Sequence, residues 1–320
     1  MALNIMISPV NKEQSLFIHD LMDWLHDIDK VEKEVYLDLY CMTSEVDTFN
    51  YYENFSELLQ KGAFKNIDPG VVIHINAETI NTQWANLCSQ RNYYVVLSVD
   101  GSTLLKDKTP LINSTRLLAQ YGVNFGVVIN IDCVSALYAN DIYAHLNSEK
   151  IMRQEYLPSN INPPNEQEYA QFLCNLFDDW YRDIQDNQVN HIRYFDNLIS
   201  MIMGLLPDSC RVSGKCPRQF VIEPDGSVYP CFLLLQKKYC IGNLHEDSPD
   251  TLQKSCELLY RSIKLDDAAC SSCKWFRLCN GGCLNDRLNP VNGRNRYCKS
   301  YQAFFEYVAP RLYALCVRLE

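Results

Sequence analysis

Cys270-Ser-Ser-Cys273-Lys-Trp-Phe-Arg-Leu-Cys279-Asn-Gly-Gly-Cys283 places four thiols within fourteen residues, and the rest of the chain is read outward from it. Cys210, Cys216 and Cys231 precede this run and Cys298 follows it. Eight of the fifteen cysteines therefore form one rear block, whereas the first 200 residues carry no cysteine triplet. Thiolate sulfur is the ligand that soft iron and zinc select, and a C-x2-C pair puts two sulfurs on one tight turn. Eight ligands in interleaved sets suit two 4Fe-4S clusters, each held by four thiolates. A structural zinc site at Cys270, Cys273, Cys279 and Cys283 has an overlapping spacing and stays open on spacing alone.

The length, 320 residues, suggests about two domains that bury roughly three quarters of the unfolded surface, so disulfides are not needed for folding. The start, Met1 to Pro9, lacks the basic end, apolar core and cleavage site of a leader. The longest apolar stretch, near Leu198 to Leu206, falls far short of the roughly 20 residues of a membrane span. A soluble cytoplasmic protein without a membrane partner is expected, and in that reducing compartment the cysteines point to metal binding. The formal charge of −10 argues against nucleic acid as a partner. From Arg261 onward, ten Lys/Arg face five Asp/Glu, so the positive excess sits with the thiols. Lys274, Arg277, Arg287 and Arg294 are candidates to offset a negatively charged cluster, with ordinary solvated surface charge as the plain alternative.

Ahead of the cysteine block, strands and helices alternate. Asn4 to Ser8, Glu34 to Tyr40, Val71 to Ile75, Tyr93 to Val99, Phe125 to Ile131 and Ile151 to Tyr156 read as strands. The near-continuous apolar runs among them suggest parallel strands covered on both faces. Between them, Glu13 to Ile28, Phe49 to Gln60, Thr79 to Arg91, Thr115 to Gln120 and Cys133 to Leu146 read as helices. Such repetition implies an α/β fold with a parallel sheet, open or curled into a partial barrel. After the break at Pro158 to Pro164, Glu166 to Asp186 and Ile192 to Leu205 read as bridging helices. Phe220 to Tyr229 reads as a hairpin with an Asp225-Gly226 turn that delivers Cys231.

Cys273-Lys-Trp-Phe-Arg-Leu-Cys279, Gly281-Gly282-Cys283 and Glu223-Pro-Asp-Gly-Ser-Val-Tyr-Pro-Cys231 are specific segments. They are joined by His191-Ile-Arg-Tyr-Phe-Asp196, Ser98-Val-Asp-Gly101 and Ile241-Gly-Asn243. On these, from about Val71 to the C-terminus, the chain resembles the anaerobic sulfatase-maturating enzymes, radical S-adenosylmethionine proteins with a C-terminal SPASM domain. The resemblance implies a partial (β/α)6 barrel over residues 1–160, bridging helices over 161–208 and a SPASM domain over 209–320. It also implies one auxiliary cluster on Cys210, Cys216, Cys231 and Cys283, and a second on Cys270, Cys273, Cys279 and Cys298.

The front end departs from the pattern. Family members carry Cys-x3-Cys-x2-Cys after the first strand, where three sulfurs hold a cluster whose open iron cleaves the methionine cofactor. Here Pro9-Val-Asn-Lys-Glu-Gln-Ser15 stands in that place. The family's Gly-Gly-Glu-Pro turn, whose bare backbone approaches the cofactor, corresponds to Cys41-Met42-Thr43-Ser44-Glu45. The aspartate that takes the substrate proton corresponds to Phe232, which accepts no proton. These three departures make S-adenosylmethionine binding and catalysis by the chain itself unexpected. The expectation is an iron-sulfur pseudoenzyme that binds a polypeptide or an active radical partner enzyme, as a recognition, scaffold or electron-relay subunit. Two alternatives stay open: a working maturase whose radical cluster comes from a partner chain, and a zinc-stabilised binding module.

Other patterns are bland. His19, His26, His74, His145, His191 and His245 show no ligand spacing, and Asp178, Asp179 and Asp183 suit a solvated helix face. Cys41, Cys88, Cys133, Cys174, Cys240, Cys256 and Cys316 sit singly in apolar surroundings and are expected to pack in the core.

Overall fold

The computed structural model describes residues 3–8, 15–41, 46–263, 268–288 and 294–319. Its strands are β1 (Leu3–Ile7), β2 (Val35–Cys41), β3 (Gly70–Asn76), β4 (Tyr94–Asp100), β5 (Phe125–Ile131), β6 (Arg153–Pro158), β7 (His191–Ile192), β8 (Gln219–Ile222), β9 (Ser227–Tyr229) and β10 (Gly242–Asn243). Helices separate the strands up to β7, which gives the α/β class with parallel pairing that the alternation predicts. Two compact units emerge, each drawing on separate stretches of sequence. One comprises Met1–Val96, Arg116–Phe125 and Pro217–Lys264; the other comprises Leu97–Thr115, Gly126–Cys216 and Leu265–Glu320.

In the first unit, β8, β1, β2 and β3 run parallel in that order, and β9 and β10 continue past β8 in antiparallel pairing. The register sets Ile5 opposite Leu37 and Phe220, and Ile7 opposite Leu39 and Ile222. These side chains are buried, as are Leu21, Leu25 and Ile28 of the helix Ser15–Val31 and Tyr52 and Phe55 of the helix Val46–Leu58. Each contributes on the order of 1.5–3 kcal/mol by leaving water. The β8–β9 turn forms as the Asp-Gly pair dictates. Gly226 takes φ +81°, and Asp225 Oδ1 accepts the Ser227 N–H at 2.9 Å.

One expectation needs correcting: β3, β4 and β5 are not covered equally on both faces. Their burial alternates, because the second face carries His74 and Asn76, Ser98 and Asp100, and Asn130 within the apolar runs. Polar side chains keep access to water or ligand there. The expected helix from Cys133 to Leu146 is also interrupted. Asp132 Oδ1 accepts the backbone N–H groups of Val134 and Ser135 at 2.9 and 2.8 Å, forming a tight turn before the helix Ala139–Ser148.

In the second unit, β5, β6 and β7 run parallel, with Ile129 opposite Tyr156 and Gln154 opposite Ile192. The helix Glu166–Gln185 starts at a capping box, with Asn165 accepting the Glu168 N–H and Glu168 reaching back to the Asn165 N–H. Its buried stripe, Tyr169, Phe172, Leu173, Leu176, Phe177 and Trp180, packs against the C-terminal helix Cys298–Leu319. Asp178 accepts from Tyr307 at 2.8 Å and Arg311 at 2.7 Å along that seam. Its partners thus make Asp178 a helix-to-helix tie.

Candidate metal centre

The second unit brings Cys270, Cys273, Cys279 and Cys298 around a single cavity, together with Trp275, Phe276, Arg294, Tyr301 and Phe305. It measures about 40 Å³, several times the roughly 10–15 Å³ that one water needs. Local geometry explains the convergence. Cys270 lies in the one-turn helix Ala268–Ser271, and its carbonyl accepts the Cys273 N–H at 3.0 Å. Cys279 closes the turn Phe276–Cys279, and Cys298 opens the last helix. The chain then turns back through Asn280, Gly281 and Gly282, all at positive φ, to present Cys283. Among the described residues, no three Cys, His, Asp or Glu side chains are close enough to hold a single metal ion.

Electrostatics shows the thiols sensing one another. Burial, and then the neighbouring Cys298, Cys270 and Cys273, push Cys279 up to about 11, against an opposing hydrogen bond from the Gly281 backbone. Cys298 is raised by burial and by Cys270 and Cys273, with Arg294 pulling the other way. Thiols release protons when they bind metal, so four of them around a cavity fit a ligand set whose charge needs a bound cation. The donor set suits iron or zinc. When bound, a fully thiolate-ligated cluster would supply electron transfer or structural support.

Of the other set, Cys210, Cys216 and Cys283 lie in the second unit and Cys231 in the first. Cys210 is raised by burial and by Cys283, while Arg211 and Arg193 lower it. The segment from Cys210 to Cys216 docks on the turn after Cys279. Asn280 Nδ2 donates to the Val212 carbonyl at 3.1 Å, and a Cβ on Gly214, which sits at φ +66°, would collide with the Asn280 carbonyl. Asn295 Nδ2 donates to the Gly281 carbonyl at 3.2 Å, tying in the approach to Cys298. In the first unit, Cys231 is half-buried, and its sulfur accepts the Leu233 N–H at 3.5 Å.

Phe232 is 40% exposed. Its ring lies 5.9 Å from that of Tyr40, which stacks at 4.4 Å on His74, itself bonded to Asp38 at 2.9 Å. Residues 9–14 and 42–45, where the radical-cluster and glycine-turn positions of the resemblance fall, lie outside the described residues.

Of the cations expected to balance the cluster, Arg294 lines the cavity and the Arg287 guanidinium lies against Gly281. Lys274 is exposed and paired with Glu306, and Arg277 is exposed. Sequence reasoning missed the more buried cation, Arg211, and its partner Asp286, which are 75 positions apart in the chain. Nothing in the spacing links them, although Arg211 adjoins Cys210 and Asp286 follows Cys283 by three. Among the seven single cysteines, Cys41, Cys88, Cys256 and Cys316 are buried as expected. Cys174 is half-buried and Cys133 and Cys240 are exposed, because they lie on turns and a helix flank that apolar neighbours in sequence do not cover.

Comparison with known proteins identifies the family. The SPASM profile, described as an iron-sulfur cluster-binding domain, matches residues 214–275. A cysteine-type anaerobic sulfatase-maturating enzyme of Clostridium perfringens is 31% identical over 290 residues, covering 82% of this chain and 78% of its own. A cysteine-type enzyme of Clostridium novyi is 31% identical over 283 residues, covering 80% and 76%. The solved structure of native anSMEcpe with bound AdoMet and Cp18Cys peptide superimposes with a TM-score of 0.87 at 26% identity, covering 100% of both chains.

Proposed function

The chain belongs to the anaerobic sulfatase-maturating enzymes, and from that premise we propose that it is a catalytically silent, cluster-bearing member of the family. It would recognise a polypeptide, or an active radical partner enzyme, and serve as a recognition, scaffold or electron-relay subunit. In this reading residues 1–160 form the degenerate barrel, 161–208 the bridge and 209–320 the cluster domain. The protein would work in the cytoplasm, where thiols stay reduced.

One observation carries the proposal. All eight rear thiols are kept, four of them around one cavity, while no cysteine occurs before Cys41. Two fully ligated clusters, on Cys210, Cys216, Cys231 and Cys283 and on Cys270, Cys273, Cys279 and Cys298, need no open iron and no S-adenosylmethionine. Phe232 offers no atom that accepts a proton, so the step given to an aspartate in the family has no base at that position. The SPASM match favours iron over zinc. The direct test incubates the anaerobically reconstituted chain with S-adenosylmethionine and a reductant. No 5′-deoxyadenosine above background is expected, and its formation would refute the proposal.

A second reading, a working maturase whose radical cluster is supplied by a partner chain, draws on the relatives being maturating enzymes and on the peptide in the solved relative. It requires co-purification with a radical enzyme and turnover of a cysteine- or serine-containing peptide only by the mixture.

A further inference from the structure

Arg211 and Asp286 form an ion pair at 3.0 Å whose side chains are only 15% and 3% exposed. Burial raises Asp286, with Arg211 and Arg296 drawing it back down. Replacing a buried ion pair with well-packed apolar side chains is often neutral or stabilising, so stability alone does not account for this one. Its placement does. Arg211 follows Cys210 directly, and Asp286 sits in the short helix that begins right after Cys283, so the pair joins two segments that each carry a thiol of the same proposed set.

The surroundings reinforce that tie. Gly282, at φ +70°, brings its backbone close enough that a Cβ there would lie 3.7 Å from the Arg211 carbonyl and would run into Asn295. The Asn280 bond to Val212 fixes the same two segments one residue further on. Arg211 is thus held by its ion pair with Asp286 and by the docking of its own segment, directly beside Cys210 in the chain.

We propose that the Arg211–Asp286 pair is a positioning device for the first auxiliary cluster: it sets Cys210 and Cys283 in register and leaves one guanidinium beside them to offset the cluster's negative charge. The inference rests on the ligand assignment proposed above. A positive charge at that place favours the reduced, more negative state of the cluster, so removing it lowers the reduction potential of that cluster alone.

The experiment is a potentiometric titration, followed by electron paramagnetic resonance, of the full chain reconstituted with iron and sulfide. Wild type is compared with Arg211→Gln, Arg211→Lys and the double variant Arg211→Gln/Asp286→Asn. Arg211→Gln is expected to disfavour reduction of one cluster by at least tenfold, or about 59 mV for one electron, or to lose that cluster, while the other stays unmoved as an internal control. Arg211→Lys keeps the charge and the potential but loads the first cluster less completely, since an ammonium lacks the two-pronged fit. The double variant removes the unpaired carboxylate and so recovers thermal stability without recovering the potential, which carries the test if Arg211→Gln does not fold. Two loaded clusters with unmoved midpoints in Arg211→Gln, or a double variant that recovers stability and potential together, would overturn the inference while leaving the ligand assignment intact. A wild-type chain that takes up only one cluster would overturn both.

Discussion

The stretch from β1 to the end of β2 and the stretch from Cys210 to Cys298 differ in the thiols they hold. The front stretch carries one cysteine, Cys41, which is fully buried, and burial raises its thiol well above its usual range. The rear stretch carries ten thiols, and the eight assigned as ligands sit on turns and helix ends with none exposed. A radical centre needs an open iron, a bare glycine backbone and a base together, so losing one makes the others useless. A fully ligated cluster asks only for four sulfurs at the right places. In the proposed reading, the contrast teaches that the rear block keeps its clusters although the front lacks a radical centre.

The comparison breaks most visibly at Cys279. Cys279→Ala should lower the iron content by about four atoms per chain, measured by metal analysis on anaerobic protein, while Cys41→Ala changes it not at all. Equal losses in both variants would erase the distinction between the two regions.

Gly214→Ala comes next. The new Cβ meets the Asn280 carbonyl, and the backbone stays at φ +66°, so a loss of about 1–3 kcal/mol is expected from the conformation alone. Denaturant unfolding should show it, together with reduced cluster loading. Gly122→Ala, at φ +67° but with open space around it, separates the backbone strain from the collision.

The metal-free chain should also weaken in alkali. Burial pushes Cys279, Cys174 and Cys256 up to about 11, from an ordinary value of 9.0. Their folded-state pKa lies above the unfolded one, so their contribution is fully present below pH 9 and disappears as pH rises toward 11. Thermal melting across that window measures it. In the cluster-loaded chain the Cys279 share should vanish, because metal has already displaced the proton.

The smallest effect is expected at Asn165, outside both regions. Asn165→Ala removes the cap of the helix Glu166–Gln185 and should cost about 1 kcal/mol in denaturant unfolding, with no change in iron.

How far the sequence reveals this layout depends on how local each cause is. The strand Phe125–Ile131, the Asp225-Gly226 turn and the helix from Glu166 follow from side chains acting over a few residues, and they are legible. The helix Thr109–Gln120 begins six residues before the expected start at Thr115, because Pro110 fits a first helical turn and reads as a breaker anywhere else. The eight thiols are legible as a set because spacing encodes chemistry. The Arg211–Asp286 pair and the docking of Gly214 on Asn280 are not, since each joins residues far apart in the chain through contacts that only the folded backbone creates. The half-exposed second face of β3 to β5 was hidden by neighbours: His74 and Ser98 sit inside runs otherwise apolar enough to suggest burial.

The most direct check is the iron and acid-labile sulfide content of the anaerobically reconstituted chain. Two auxiliary clusters and no radical one predict about eight irons and eight sulfides per chain. About twelve of each would place a third cluster in the front region, and zinc without sulfide would remove iron-sulfur chemistry from the rear; either result contradicts the account.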